Sequence, residues 1–335
     1  MDNCQQNTAS IAVEQEDILG PNFTAYTLTP KQGQICTLIK HQHQTADVDS
    51  IAVLYLHGYT DYFYQVELAE FVSQQGMIFY ALDLHGYGRS IRPFQQDHNQ
   101  NTFSNYFADI ETSLQAMANQ GIQRCIFLGH STGGLIVSRY LAEHNSNRIA
   151  DIDIVGLILN SPFLSLPLSL TSESWRLPLY QFISRSLSGI SLPAHKPTLY
   201  AQSIHQSLAG EWPYRLDWKP SQGSPLSFSW LNQIMKEQKA CLSQRCGIPT
   251  LLCRSSKSTY HEKELVELQQ GDGVLDVENM ESKAKQIFTQ LEIAIIDGGY
   301  HDLALSPLIS RQNYYKKIQN WLSTYLNTHK EDLLG

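Results

Sequence analysis

No stretch of this 335-residue chain approaches the run of about eighteen apolar residues that a membrane-spanning helix needs. Basic residues are in short supply: 24 Lys and Arg stand against 32 Asp and Glu, for a formal net charge of −8. That balance excludes a protein built to neutralise nucleic-acid phosphates, which needs clustered cations. Cysteine is sparse and unpatterned. Cys4, Cys36, Cys125, Cys241, Cys246 and Cys253 follow no secreted-scaffold spacing. Residues 1–20 are polar and acidic, with no basic segment leading into an apolar one, so no signal peptide is expected. The expectation is a cytoplasmic protein with reduced thiols. Metal-ligand patterns are equally thin: Cys241-x4-Cys246 has nothing nearby to complete it, and His41-x-His43 is an isolated pair. No internal repeat or low-complexity tract interrupts the chain.

What is present is a βα alternation. Residues 23–28 and 34–39 are β-rich and separated by Pro30 and Gly33, which predicts an antiparallel start. Residues 51–56, 77–82, 124–128 and 154–159 are apolar runs of the kind expected in strands covered on both faces. Helical stripes lie between them, Leu68, Phe71 and Val72 on one and Phe107, Ile110, Leu114 and Met117 on another. Residues 162–245 break the rhythm, with eight of the 13 prolines and four of the five tryptophans. This stretch reads as an inserted, mostly helical cap after the sixth strand, leaving 1–161 and 246–335 as the core. Alternation resumes at 249–253 and 291–296. A closing helix is expected from Ser306-Pro307, an N-cap followed by proline, with Tyr314, Ile318, Trp321, Leu322 and Tyr325 on its apolar face.

The chemistry concentrates at Gly129-His130-Ser131-Thr132-Gly133-Gly134, between an apolar strand and an apolar helix. Gly-x-Ser-x-Gly in that setting is a nucleophile elbow, a strained turn that holds one hydroxyl above the sheet edge. A serine hydroxyl needs a base, itself oriented by a carboxylate. His301, in Gly298-Gly299-Tyr300-His301 directly after the last strand, is the expected base. His57, His85 and His130 are expected to make structural hydrogen bonds. The acid should follow strand 249–253. Glu262, Glu264 and Glu267 look like the face of a short exposed helix. Asp272, flanked by glycines, is preferred to Asp276, which could instead cap a helix. An oxyanion hole needs two backbone N–H donors, for which Thr132 and Tyr59 are the candidates.

Taken together, His57-Gly58, Asp83-Leu84-His85-Gly86-Tyr87-Gly88-Arg89-Ser90, the elbow, Asp272-x-x-Leu275-Asp276 and Gly299-Tyr300-His301 resemble the α/β-hydrolases of the lysophospholipase, monoacylglycerol-lipase and serine-aminopeptidase-like group. The resemblance covers nearly the whole chain outside the cap. It implies an α/β-hydrolase fold, a mostly parallel sheet flanked by helices. It implies Ser131 as nucleophile, Asp272 as acid, His301 as base, Tyr59 and Thr132 as oxyanion donors, and a structural role for the loop 83–90. Relatives place the acid a few residues after its strand, in a Gly-x-x-Asp turn. Here residues 254–270 intervene, a polar insertion at the site's rim.

The reaction so implied is acyl transfer through an acyl-enzyme, without cofactor or metal. The cap carries eight Lys and Arg against four Asp and Glu, a net +4, which leaves −12 for the rest. A basic, Trp- and Leu-rich cap suits a medium-to-long-chain carboxylic ester such as a monoglyceride or lysophospholipid, with transient contact to lipid surfaces. An aminopeptidase-type amide hydrolase and a non-catalytic binding protein of the same fold are the alternatives. A haloperoxidase- or dehalogenase-like relative is a weaker alternative, because dehalogenases carry Asp at the elbow where this chain has Ser131.

Overall fold

The computed structural model describes residues 11–30, 33–42, 51–93, 102–144 and 147–328. The expectations for residues 1–10 with Cys4, for His43 and for the side chain of Tyr325 lie outside the described residues. In chain order the elements are β1 (Ile11–Asp17), β2 (Gly20–Leu28), β3 (Cys36–His41), β4 (Ala52–Leu56), α1 (Val66–Gln74), β5 (Ile78–Asp83), α2 (Phe103–Asn119), β6 (Arg124–His130), α3 (Thr132–Glu143), β7 (Arg148–Ile149) and β8 (Ile152–Asn160). There follow α4 (Leu170–Ser186), β9 (Ser191–Leu192), α5 (Leu199–Ile204), β10 (Leu226–Ser227), α6 (Phe228–Leu242), β11 (Thr250–Ser255), α7 (Leu265–Leu268), α8 (Val277–Ile287), β12 (Leu291–Ile296) and α9 (Leu308–Thr328).

The main sheet runs β1-β2-β3-β5-β4-β6-β8-β11-β12, with β7 hairpinned onto β8. Strands β5, β4, β6, β8, β11 and β12 are parallel to one another, whereas β1, β2 and β3 are antiparallel to their neighbours. The parallel strands are nearly all apolar because helices cover both faces; every residue of β4 is buried. On one face α2, α3, α6 and α8 bring Leu114, Tyr140, Ile234 and Met280 against Leu54, Phe127 and Leu157. On the other, α1 and α9 bring Leu68, Val72, Tyr314 and Ile318 against Val53, Tyr55 and Leu128. This is the α/β-hydrolase architecture.

Two strands of the main sheet escape sequence reading, as does the β9–β10 ribbon. The polar stretch expected at the N-terminus includes β1, whose pairing with β2 needs only backbone groups; Val13 is half exposed at this sheet edge. Its last residue is different: Asp17 is buried and bonded to Arg89. The second strand, β7, is a two-residue partner of β8. Ser306, expected to cap the closing helix, instead accepts the Tyr300 N–H at 2.8 Å, and α9 begins at Leu308. Competition from the site's own loop captures that hydroxyl.

Between β8 and β11 lie α4, α5, α6 and a small antiparallel ribbon of β9 and β10. Helix α6 doubles as a flank of the sheet. Trp230, Ile234 and Cys241 enter the main core, and Arg139 of α3 reaches Glu237 at 2.9 Å. Segment 199–219 is bolted to the core. Trp212 Nε1 donates to the Leu305 carbonyl at 2.9 Å, and the Arg215 N–H to the Tyr62 hydroxyl at 2.7 Å.

Candidate active site

The turn after β6 is as tight as its glycines require. Ser131 has φ 51° and ψ −119°, a sparsely populated conformation for a residue with a Cβ. A Cβ on Gly133 would lie 2.4 Å from the His57 carbonyl oxygen, and one on Gly129 2.7 Å from the Gly134 Cα. Glycine there lets β6 turn directly into α3 and lifts the serine above the sheet. Close by, a Cβ on Gly58 would meet Ser131 Cβ at 3.1 Å. The loop after β4 therefore passes against the elbow.

His301 arrives from the loop after β12. Its Nε2 lies 2.9 Å from Ser131 Oγ, and its Nδ1 lies 3.0 Å from Asp272 Oδ2. Asp272 is fully buried, and its other oxygen accepts the N–H groups of Val274 and Leu275, both at 2.9 Å. Those bonds fix the carboxylate plane toward the imidazole. Asp276 goes elsewhere: it caps α8, accepting the Asn279 N–H at 2.8 Å. The intervening segment 254–270 packs beside the acid. The Thr259 N–H donates to the Asp272 carbonyl at 2.7 Å, and the segment lies outside the cavity described below.

Thr132 is the first residue of α3, where a backbone N–H has no intrahelical acceptor. Tyr59 follows Gly58, and both Tyr59 and Thr132 line the cavity above Ser131. The Tyr59 ring packs on Trp230 with centroids 4.1 Å apart, and its hydroxyl donates to the Pro225 carbonyl at 3.3 Å.

A network unread in the sequence lies behind His301. Asp302, fully buried, accepts from Asn160 Nδ2 at 2.8 Å and Gln65 Nε2 at 2.9 Å. Burial alone would raise the Asp302 carboxyl, but His130, the Gln65 bond and Lys219 outweigh it and hold it below its ordinary value. Burial pushes the His130 imidazole down, against the opposing pull of Asp302. The His130 ring sits 5.0 Å from that of His301 and bonds the Asn160 carbonyl through Nδ1 at 3.1 Å. The sequence offered one signal: an acidic residue beside the expected base in an otherwise apolar segment.

The remaining candidates are structural. His57 accepts the Leu84 N–H, and His85 bonds Asp109. Asp83 takes the Phe63 and Arg89 N–H groups, while Ser90 donates back to the Asp83 carbonyl, which knits the 83–90 loop. His41 bonds Ser73. Cys241 and Cys246 are buried free thiols. Among the described residues, Asp61, His130 and Asp302 present ligand atoms within 4.8 Å of one another. The Lys219 ammonium, 2.7 Å from Asp61, already supplies a cation there.

Ser131, Thr132 and His301 open on a cavity of about 840 Å³. Its apolar lining includes Phe163, Leu168, Leu226, Trp230 and Leu231. Its polar lining includes Thr60, Asp61, Tyr200 and Lys219. No described helix is long and apolar enough to cross a membrane.

Comparison with known proteins agrees with this fold. A soluble variant of monoglyceride lipase from Saccharomyces cerevisiae, solved with a substrate analogue, aligns at a TM-score of 0.63 and 17% identity, over 96% of this chain and 97% of that one. The Paleococcus ferrophilus monoacylglycerol lipase gives a TM-score of 0.57 at 18% identity, over 82% and 94%. At such identities the likeness is one of fold. In sequence, a non-heme haloperoxidase of Rhodococcus erythropolis is 34% identical over 88 residues, 26% of this chain and 30% of the relative. The chain matches less than half the length of the curated relatives it resembles. The family model for serine aminopeptidase, S33, matches residues 49–307. The chain thus belongs to the serine aminopeptidase S33 family of the α/β-hydrolase superfamily.

Proposed function

We propose that the protein is a serine hydrolase that cleaves medium-to-long-chain carboxylic esters through an acyl-enzyme, with Ser131, His301 and Asp272 as its triad. The observation that carries this reading is the unbroken chain of hydrogen bonds from Ser131 Oγ through His301 to Asp272, opening on an apolar cavity. His301 Nε2 takes the Ser131 proton as Oγ attacks the ester carbonyl carbon. The oxygen that becomes negative is held by the backbone N–H groups of Thr132 and Tyr59. Collapse of the tetrahedral intermediate breaks the bond to the alcohol, which leaves with the proton from His301. Water, deprotonated by the same imidazole, then releases the carboxylic acid and restores Ser131. Buried Asp272 holds the imidazole and stabilises its charged form.

Segment 162–245 is the cap of this reading, its ribbon and helices α4 and α6 walling the acyl side. Ester rather than aminopeptidase chemistry is favoured by its acids. A site for a substrate amine would need an unpaired carboxylate facing the cavity, and the one carboxylate among the described residues that lines it, Asp61, is bound to Lys219 at 2.7 Å. Glu173, Asp217 and Glu237 are instead bound to Lys283, Arg215 and Arg139, and none of the cap's four acids lines the cavity. The test is hydrolysis of p-nitrophenyl esters of increasing chain length. Rates that rise from acetate toward octanoate and beyond are expected; activity confined to acetate rules out a lipid-like substrate.

A further inference from the structure

The last residue of β8 ties the nucleophile to the loop of its base. In the sheet β8 lies next to β6 and two places from β12, so Asn160 stands between the elbow and the loop that carries His301. Asn160 is fully buried. Its backbone carbonyl accepts the Ser131 N–H at 3.0 Å. Its side chain holds both residues that follow His301. Nδ2 donates to Asp302 Oδ1 at 2.8 Å, and Oδ1 accepts the Leu303 N–H at 3.1 Å. One residue thus grips the nucleophile with its backbone and the base's loop with its amide.

Both grips are anchored. The next residue, Ser161, is held at φ 47° and donates its N–H to the Cys253 carbonyl of β11 at 2.9 Å. Asp302 is fixed in turn by the Gln65 amide at 2.9 Å and by the Ala304 N–H at 3.0 Å. Its carboxylate stays ionised, because His130, the Gln65 bond and Lys219 outweigh its burial. An ionised carboxylate only accepts, which leaves the Asn160 amide one orientation, NH2 to Asp302 and C=O to Leu303. Only a neutral side chain that donates and accepts at once meets both demands. An aspartate in its place would face Asp302 with like charge, and an aliphatic residue would leave the buried Leu303 N–H unpaired.

We infer that Asn160 is a positioning residue for acyl transfer, setting the 2.9 Å approach of His301 to Ser131 by bracketing the elbow and the base's loop. The inference rests on the ester-hydrolase reading. Acylation and deacylation use the same contact between Ser131 and His301. Loss of the bracket therefore slows both steps alike, lowering kcat while KM stays nearly constant.

The experiment follows p-nitrophenyl octanoate hydrolysis by the full chain. It compares wild type, Asn160→Leu, Asn160→Asp and the reciprocal double variant Asn160→Asp/Asp302→Asn, each checked for folding by circular dichroism. Asn160→Leu and Asn160→Asp should each lower kcat about 100-fold with KM within about threefold, and slow fluorophosphonate labelling of Ser131 in step. In the double variant amide and carboxylate exchange places. A donor again faces an acceptor there, and the new carboxylate still accepts the Leu303 N–H. Its kcat should recover about tenfold or more over Asn160→Asp. A kcat within about threefold of wild type in Asn160→Leu, a loss confined to KM, or no recovery in the double variant overturns the positioning role and leaves the ester-hydrolase reading intact. Should the leucine variant not fold, the two isosteric variants decide. If none of the three folds, Asn160 serves stability alone and the proposal is overturned. Wild type that shows neither hydrolysis nor labelling overturns the reading and the inference together.

Discussion

Ser131 and His301, 170 residues apart in the chain, meet at 2.9 Å between Oγ and Nε2. Neither side chain is brought there by its own segment alone. The hydroxyl is raised by the strained turn after β6 and the imidazole is lowered by the loop after β12. The parallel sheet sets both at one edge.

The third member separates two neighbouring acids. Asp272→Asn should lower kcat on an activated ester by about 10⁴-fold, because the amide favours the wrong imidazole tautomer. Asp276→Ala should cost about 1 kcal/mol through loss of the α8 cap, with kcat unchanged within about twofold. Steady-state kinetics beside urea denaturation distinguish the two. Equal losses of activity would refute the assignment.

Glycines at the elbow yield a prediction about packing. In Gly133→Ala the new methyl would approach two backbone carbonyl oxygens at 2.4 and 2.5 Å, those of His57 and Leu56. Neither can retreat without moving β4, so a destabilisation of about 2 kcal/mol or more is expected from urea midpoints. Gly58→Ala instead presses on the Ser131 side chain at 3.1 Å and should reduce kcat more than stability.

The cavity's apolar lining should set acyl length. Leu226, half-buried at the ribbon, belongs to it. Leu226→Trp should shift the optimum in a p-nitrophenyl series toward shorter chains, with kcat/KM for the longest ester falling about tenfold per 1.4 kcal/mol of lost contact. An unchanged profile would place the acyl chain elsewhere.

How far these features could be read in advance depended on how local their causes are. The elbow is written within six consecutive residues, because its turn geometry needs glycine and its helix starts at once. The parallel strands were legible as apolar runs because both faces are covered. The choice between Asp272 and Asp276 was open, since residues 254–270 disturb the usual spacing and only three-dimensional contact with His301 separates a site acid from a helix cap. Strand β1 left almost no pattern, being an edge strand with exposed side chains. The Asp61–Lys219 pair left none, because it joins residues 158 positions apart.

Arg89 offers a test of that N-terminal strand. It is buried between Asp17 of β1, at 2.7 Å, and Asp83 of β5, at 2.8 Å. Arg89→Met would strand two buried carboxylates and should cost about 3–5 kcal/mol. A loss below about 1 kcal/mol in denaturant titrations would mean that β1 is not anchored as described.

The five described cysteines are all buried, and burial pushes the thiols of Cys36, Cys125, Cys241, Cys246 and Cys253 upward. Since the thiolate is the reactive form, they should resist Ellman's reagent at pH 8 in the native protein and react on denaturation.

The central claim is tested most directly by a fluorophosphonate probe followed by peptide mass spectrometry. A single adduct on Ser131, lost in His301→Ala and blocked by prior incubation with a long-chain ester, is the predicted result. No adduct on Ser131 under conditions that label a known serine esterase would contradict it.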